Sequence, residues 1–184
     1  MRSVSAIILA GGYSSRMGKN KAELDFHGVS LLRHQVDKAR ALGIEDIVIA
    51  GDCTPIVGTR AVTDVYPHRG PLSGIHAGLM AIREPRALVL AVDTPLVPEE
   101  TLAALIEKYS GGISVLSHRG ELEPLIGVYD KALFKVCEES LHGENSSLRR
   151  LFETVGVSTV EYSGDPALLT NCNTPEEYEK IQKL

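Results

Sequence analysis

Nothing in this chain of 184 residues asks for a disulfide, a structural zinc or a bilayer. Its three cysteines, Cys53, Cys137 and Cys172, stand far apart, with no Cys-x-x-Cys and no Cys/His pairing. They read as reduced, mostly buried small residues. No stretch is long and apolar enough to span a membrane, and the N-terminus lacks the charged start, apolar core and cleavage site of a signal peptide. The cytoplasm is therefore the expected compartment, and the Asn145-Ser146-Ser147 match to a glycosylation acceptor has no consequence there. Positive charge is also short: 19 Lys and Arg against 24 Asp and Glu leave a net charge of −5. Such a surface repels nucleic acid and anionic membranes, which confines phosphate affinity to local sites. With no internal repeat, linker or low-complexity tract, and 43% hydrophobic residues, the expectation is one domain over 1–184 with a substantial core.

Two familiar phosphate loops are missing as well. The P-loop needs four residues between its glycines and a hydroxyl after its lysine; Gly12 to Gly18 encloses five, and Asn20 follows Lys19. The dinucleotide fingerprint is broken by Tyr13 where G-x-G needs its second glycine. What is present is an apolar run, Ala6-Ile7-Ile8-Leu9-Ala10, with the length and branching of a buried parallel strand, stopping at Gly11-Gly12. A small polar loop follows and carries Arg16, Lys19 and Lys21 close together. Exposed amides, hydroxyls and three cations on one loop suit a polyphosphate.

The rest of the chain alternates. Ser30 caps a helix with Leu32, Val36, Ala39 and Leu42 on one face, Arg33, Asp37, Lys38 and Arg40 on the other, and Gly43 at its exit. Asp46 to Ala50 is a second strand, so the opening forms a right-handed crossover unit with the first loop at a carboxyl edge, where ligands bind in open α/β sheets. Ala61-Val62-Thr63 is a brief third strand that delivers Asp64. Ser73 is expected to cap a helix rich in small residues, where Gly74 and Gly78 allow either close approach of a nucleotide or tight packing on the sheet. Arg86 to Val92 is a buried strand ended by Asp93, with Pro95 keeping the turn open; a carboxylate there suits magnesium, which takes one or two carboxylates plus substrate phosphates. Pro98 starts the next helix. Two strands near Ile113–Ser117 and Pro124–Tyr129 are joined by a polar turn as an antiparallel insertion or edge. Asp130 is expected to cap a following helix, and a shorter one near Ser146–Thr154 carries Arg149-Arg150. Thr174, Pro175 and Glu177 make a capping box with a proline start, which leaves the asparagines Asn171 and Asn173 unexplained; amides that donate and accept suit a polar heterocycle.

Leu-Ala-Gly-Gly-x-Ser-Ser-Arg-Met-Gly-x-x-Lys from Leu9, the Gly-Pro-Leu-x-Gly element at Gly70, Asp93-x-Pro95 and the Asn-x-Asn-Thr-Pro ending at Asn171 together resemble the molybdenum cofactor guanylyltransferase (MobA) family, in family order over nearly the whole chain. The resemblance implies a three-layer α/β/α Rossmann-like sandwich with a mainly parallel sheet, of the nucleotide-diphospho-sugar transferase type. It implies transfer of GMP from GTP to the phosphate of molybdopterin or the molybdenum cofactor, with release of pyrophosphate. Leu9, Ala10, Gly11, Gly12, Lys21, Asp64, Gly74 and Asp93 then hold the nucleotide, Asp93 holds Mg2+, and Asn171 and Asn173 face the pterin. Arg16, Lys21 and Asp93 are the expected catalytic residues. Glu123-Pro124 falls where the family has a short x-Pro segment near the acceptor, an edge-strand surface being the alternative. Cofactor-delivery proteins or acceptor molybdoenzymes are the macromolecular partners this implies. The residues themselves leave open a cytidylyltransferase on the same cofactor, a nucleotidyltransferase on a sugar or polyol phosphate, and a non-catalytic nucleotide-binding accessory protein. Arg16, Lys21 and Asp93 occurring together speak for turnover.

Overall fold

The computed structural model describes residues 3–11, 20–143 and 146–184. Within them the apolar runs become β1 (Ser5–Leu9), β4 (Ile47–Ala50) and β6 (Arg86–Ala91), and their side chains alternate between two faces as a pleated backbone requires. Ala6, Ile8, Ile47, Ile49, Leu88 and Leu90 enter one core; Ile7, Leu9, Val48, Ala50, Val89 and Ala91 enter the other. Strands apolar on both faces must be covered on both. Helices α1 (Leu31–Ala41), α3 (Glu99–Glu107) and α6 (Pro175–Ile181) contribute Val36, Leu102 and Ile181 to the first core, while α2 (Pro71–Ala81), α4 (Phe134–His142) and α5 (Leu148–Val155) contribute Ile75, Cys137 and Leu151 to the second. The expected three-layer sandwich is thus present.

With β5 (Arg60–Val62), β7 (Ile113–His118), β8 (Glu121–Asp130) and β9 (Ser158–Glu161), the sheet has the order β5-β4-β1-β6-β8-β7-β9. β8 runs against both of its neighbours and the other six strands share one direction. The expected antiparallel element is there, but it lies between β6 and β7 rather than at an edge. Between β2 (Asp25–Phe26) and β3 (Val29–Ser30) a two-residue turn, His27-Gly28, has φ of 51° and 89°, the positive pair that a tight hairpin turn needs. This hairpin occupies what reads in sequence as a plain connection.

Caps were mostly legible. Ser30 accepts from the Arg33 amide, and Thr174 and Glu177 close the capping box. Two expectations are corrected. α2 begins at Pro71 behind Gly70, where φ is 71°, so Ser73 sits inside the helix, fully buried, and donates its hydroxyl to the Tyr66 carbonyl at 2.7 Å. Asp130 makes no side-chain cap; its carboxylate instead accepts from the Gly112 amide at 2.8 Å, joining the two ends of the β7–β8 pair. Gly78 is explained by packing, since an added Cβ would lie 2.6 Å from Ile7 Cγ2.

α1 also buries two polar side chains, Gln35 at 1% and Lys38 at 6% exposure, which corrects the expectation of Lys38 on the polar face: the carbonyls of Pro95 and Val97 draw its ammonium inward. Burial pushes the Lys38 ammonium down to about 8. The folded protein therefore gives up this proton near pH 8 and the unfolded chain near 10.5, so in that window the unfolded state binds more protons and stability rises with pH. Urea unfolding of the wild type and of Lys38→Met at pH 7.5 and 9.5 checks this. The wild type should gain on the variant at the higher pH, by roughly 3 kcal/mol at most over the whole window; a constant difference contradicts the buried charge.

Candidate functional site

Parallel register assembles the site. Leu9 pairs with Ala50 and with Ala91, and Ala50 pairs with Val62, so four strands end in one row. Whatever follows each strand lies along the same carboxyl edge: Ala10-Gly11 after β1, Gly51-Asp52 after β4, Asp64 after β5 and Asp93 after β6. The first loop leaves β1 here, and its expected phosphate residues Gly12, Arg16 and Lys19 lie outside the described residues. Leu9 and Ala10 are buried and Gly11 is exposed at the rim. An added Cβ on Gly74 would lie 3.1 Å from Leu9 Cδ2 and 3.7 Å from Asp64 Oδ1, which places Leu9, Asp64 and Gly74 side by side. Burial pushes the Asp64 carboxyl up.

Lys21 opens a 3-10 turn, Lys21–Glu23, that Asn20 caps by accepting from the Ala22 amide. That turn points the Lys21 ammonium across the edge, where it donates to Asn173 Oδ1 at 2.5 Å and lies 3.6 Å from Asp93 Oδ2. Three expected site residues, separated by up to 152 positions in sequence, thus meet in one cluster. The capping box aims one of them, because Glu177 Oε2 accepts from both the Asn173 and Thr174 amides. The Cys172 amide donates to the Asp93 carbonyl at 2.7 Å, tying the C-terminal segment to the β6 loop. Asn171 is exposed beside them, without entering the Lys21 cluster.

Asp93 is the electrostatic centre. Burial pushes its carboxyl above the usual range, and Lys21, although beside it, does not fully offset that effect. Glu123 is close enough to interact with it; burial and the charges of Glu121 and Asp93 raise its carboxyl too. A bulge accounts for this approach. Val115 pairs with Gly127 while Leu116 pairs with Glu123, so extra residues on β8 bend that strand beside the site. Arg149, by contrast, is 89% exposed and pairs with Glu153, as a solvated helix face would.

A divalent cation fits this donor set in one way. No group of three or more His, Cys, Asp or Glu side chains able to hold a metal is found among the described residues. An ion held at Asp93 would complete its shell with phosphate oxygens and water, which is the habit of magnesium rather than of zinc.

Two contributors escape a reading of the sequence. Gly51 has φ 135°, and an added Cβ would lie 2.5 Å from the Gly11 amide nitrogen and 2.9 Å from the Ala10 carbonyl carbon. It is the floor against which the first loop leaves the sheet. Asn20, which in sequence only disqualifies a P-loop, donates to the Asp52 carbonyl at 3.2 Å and so moors the end of the first loop to β4. The Asn-Lys order is the signal that an Asx cap offered for it.

This edge and the sandwich below it define the class: a Rossmann-like α/β protein of the nucleotidyltransferase type. Its fold is shared with the solved structure of molybdopterin-guanine dinucleotide biosynthesis protein A from Archaeoglobus fulgidus, at a TM-score of 0.80 and 20% identity, covering 98% of this chain and 97% of that one. The chain belongs to the MobA-like NTP transferase domain family, whose pattern matches residues 6–160. It is 33% identical to a "Probable molybdenum cofactor guanylyltransferase" of Carboxydothermus hydrogenoformans, over 100% of this chain and 98% of the relative. A "Molybdenum cofactor guanylyltransferase" of Desulfosudis oleivorans is 32% identical over 99% of this chain and 96% of its own length. No helix among the described residues is long and apolar enough to cross a membrane.

Gly51→Ala should shift the first loop and lower stability by about 1–3 kcal/mol, since backbone rather than a flexible side chain stands in the way. The urea midpoint measures it. An unchanged midpoint would mean that the Ala10–Gly11 backbone is not seated on Gly51.

Proposed function

We propose that this protein transfers GMP from GTP to the terminal phosphate of molybdopterin or of its molybdenum-bearing form, releasing pyrophosphate. The observation that carries this reading is the junction of Lys21, Asp93 and Asn173, which unites the glycine-led loop, the strand-end carboxylate and the asparagine ending at one carboxyl edge. Full-length relatives bearing the guanylyltransferase name support it.

The acceptor phosphate is already an anionic nucleophile. One of its oxygens forms the new bond to the α-phosphorus of GTP while the bond from that phosphorus to the β-phosphate oxygen breaks, and the electron pair leaves with pyrophosphate. No proton has to move, so no general base is assigned. The protein's task is alignment and neutralisation of charge. The Gly11 and Gly12 amides cradle the phosphates, Lys21 and Arg16 stabilise the charge that develops on them, and Leu9, Ala10, Asp64 and Gly74 seat the nucleoside. Asn171 and Asn173 receive the pterin. Asp93 would hold Mg2+, which when bound supplies positive charge across the phosphates. Lys21 is poised for its part because its present partners are an acceptor-side amide and the Asp93 carboxylate. Incoming phosphates and cation offer both better partners.

Thermal unfolding with magnesium and each of GTP, CTP, ATP and UTP tests the nucleotide assignment. A ligand at about a hundred times its dissociation constant adds roughly 2.7 kcal/mol, and GTP alone should do so; a shift with CTP alone would contradict the guanylyl assignment. In turnover, Lys21→Ala should lose about 10²–10³ in rate, the usual worth of a donor aimed at developing charge. Asp93→Asn should fold normally and lose magnesium-dependent activity. Lys21→Ala turning over like the wild type would remove the lysine from the mechanism.

A further inference from the structure

Asp93 lies near the start of a loop, residues 92–98, whose backbone is poor in donors because Pro95 and Pro98 have no N–H. Its carbonyls are turned inward, and side chains of α1 meet them. Gln35 Nε2 donates to Ala91 O at 2.7 Å and to Thr94 O at 3.1 Å, two residues before Asp93 and one after it. Lys38 Nζ donates to Pro95 O at 2.6 Å and Val97 O at 2.7 Å, and His34 Nε2 lies 3.0 Å from Pro95 O. Gln35 and Lys38 are three residues apart, so both face the loop from one side of the helix.

The inward carbonyls need donors, and α1 meets that need with a buried amide and a buried ammonium. Burying these groups costs free energy, which their hydrogen bonds to the loop offset while fixing its backbone in place. Gln35 Oε1 is moreover buried and finds no partner among the described residues, so the bonds of this amide all come from its NH2 end. What that end does is fix the carbonyls on both sides of Asp93, while Cys172 fixes the carbonyl of Asp93 itself.

We propose that Gln35 and Lys38 are positioning residues for Asp93: they clamp the β6–α3 loop from α1 so that the carboxylate stands where a metal–nucleotide complex needs it. This inference rests on the function proposed above. Neither side chain reaches the reacting atoms. Their effect is transmitted through the loop backbone, and a displacement on the order of 1 Å at such a site costs up to about a hundredfold in rate.

The test uses Lys38→Met, which keeps the length of the stem, and Gln35→Leu, with Leu141→Ala as a control that lowers stability from α4 on the far face of the sheet. Amide exchange of the peptide spanning 92–97 is followed in the ligand-free protein, and the affinity for manganese with GTP is measured by titration. Both clamp variants should exchange faster in that peptide and bind manganese–GTP about tenfold more weakly or worse, with kcat reduced and folding retained. Leu141→Ala, at an equal loss of unfolding temperature, should move neither. If Lys38→Met does not fold, Gln35→Leu carries the test alone. Clamp variants that bind manganese–GTP as tightly as an active wild type overturn the inference. A wild type that does not bind manganese–GTP at all overturns the proposed function instead.

Discussion

A carboxylate taken largely out of water at the end of a central strand is the constraint around which this protein is arranged. Asp93 lies at the carboxyl end of β6, and burial raises its pKa even with a lysine beside it. Such a group must be compensated or it becomes a liability. The compensation of the carboxylate comes from Lys21 and from the residue's own backbone amide, while the Cys172 amide and Gln35 hold the main chain around it through the carbonyls of Asp93, Ala91 and Thr94. That compensation is incomplete, since the carboxyl stays above its usual range. The main chain at Asp93 also ties β6 to the C-terminal segment through the Cys172 amide.

The two edges of the sheet divide their polar groups by task. At the amino edge Asp46 accepts from the Ser5 hydroxyl, the Arg83 amide and the Arg60 guanidinium, and Arg60 also donates to the Ala81 carbonyl. Those charges close on one another and hold β1, β4, β5 and the end of α2 together. At the carboxyl edge the charges are shared across gaps: Lys21 spans Asp93 and Asn173, and Glu123, with His118 near it, approaches the like charge of Asp93. A closed network suits packing, and an open one suits a charged ligand. The parallel sheet sets this division, since its strand ends on one side are the natural place for a site.

Much of this was legible in the sequence because strongly periodic elements declare themselves. β1, β4 and β6 are apolar on both faces, α1 and α6 carry side-chain caps, and the strand-end positions of Asp64 and Asp93 follow from counting. The losses have particular causes. β2 and β3 are two residues long each, too short for a pattern, and only His27-Gly28 hints at their turn. Ser73 looks like a cap by residue type, yet Pro71 behind a glycine with positive φ starts α2 earlier and turns Ser73 into a buried donor to Tyr66. The central place of β8 is a matter of pairing between distant strands, which local pattern does not encode. In the site, Lys21, Asp93 and Asn173 could be named from motifs, whereas their meeting depends on the capping box that aims Asn173 and on the turn that Asn20 caps. Gln35 and Lys38 gave no sign at all: on a helix, a glutamine and a lysine read as solvent-facing until the loop they hold is in place.

The measurement that bears most directly on the account is the fate of the α-phosphorus. Purified protein is incubated with magnesium, molybdopterin and GTP labelled at the α-phosphate, and products are separated and weighed by mass spectrometry. The account predicts that the label joins molybdopterin as a guanine dinucleotide, with one pyrophosphate released for each transfer. Label recovered only as GTP or as free GMP, or transfer that proceeds equally well from CTP, would contradict it.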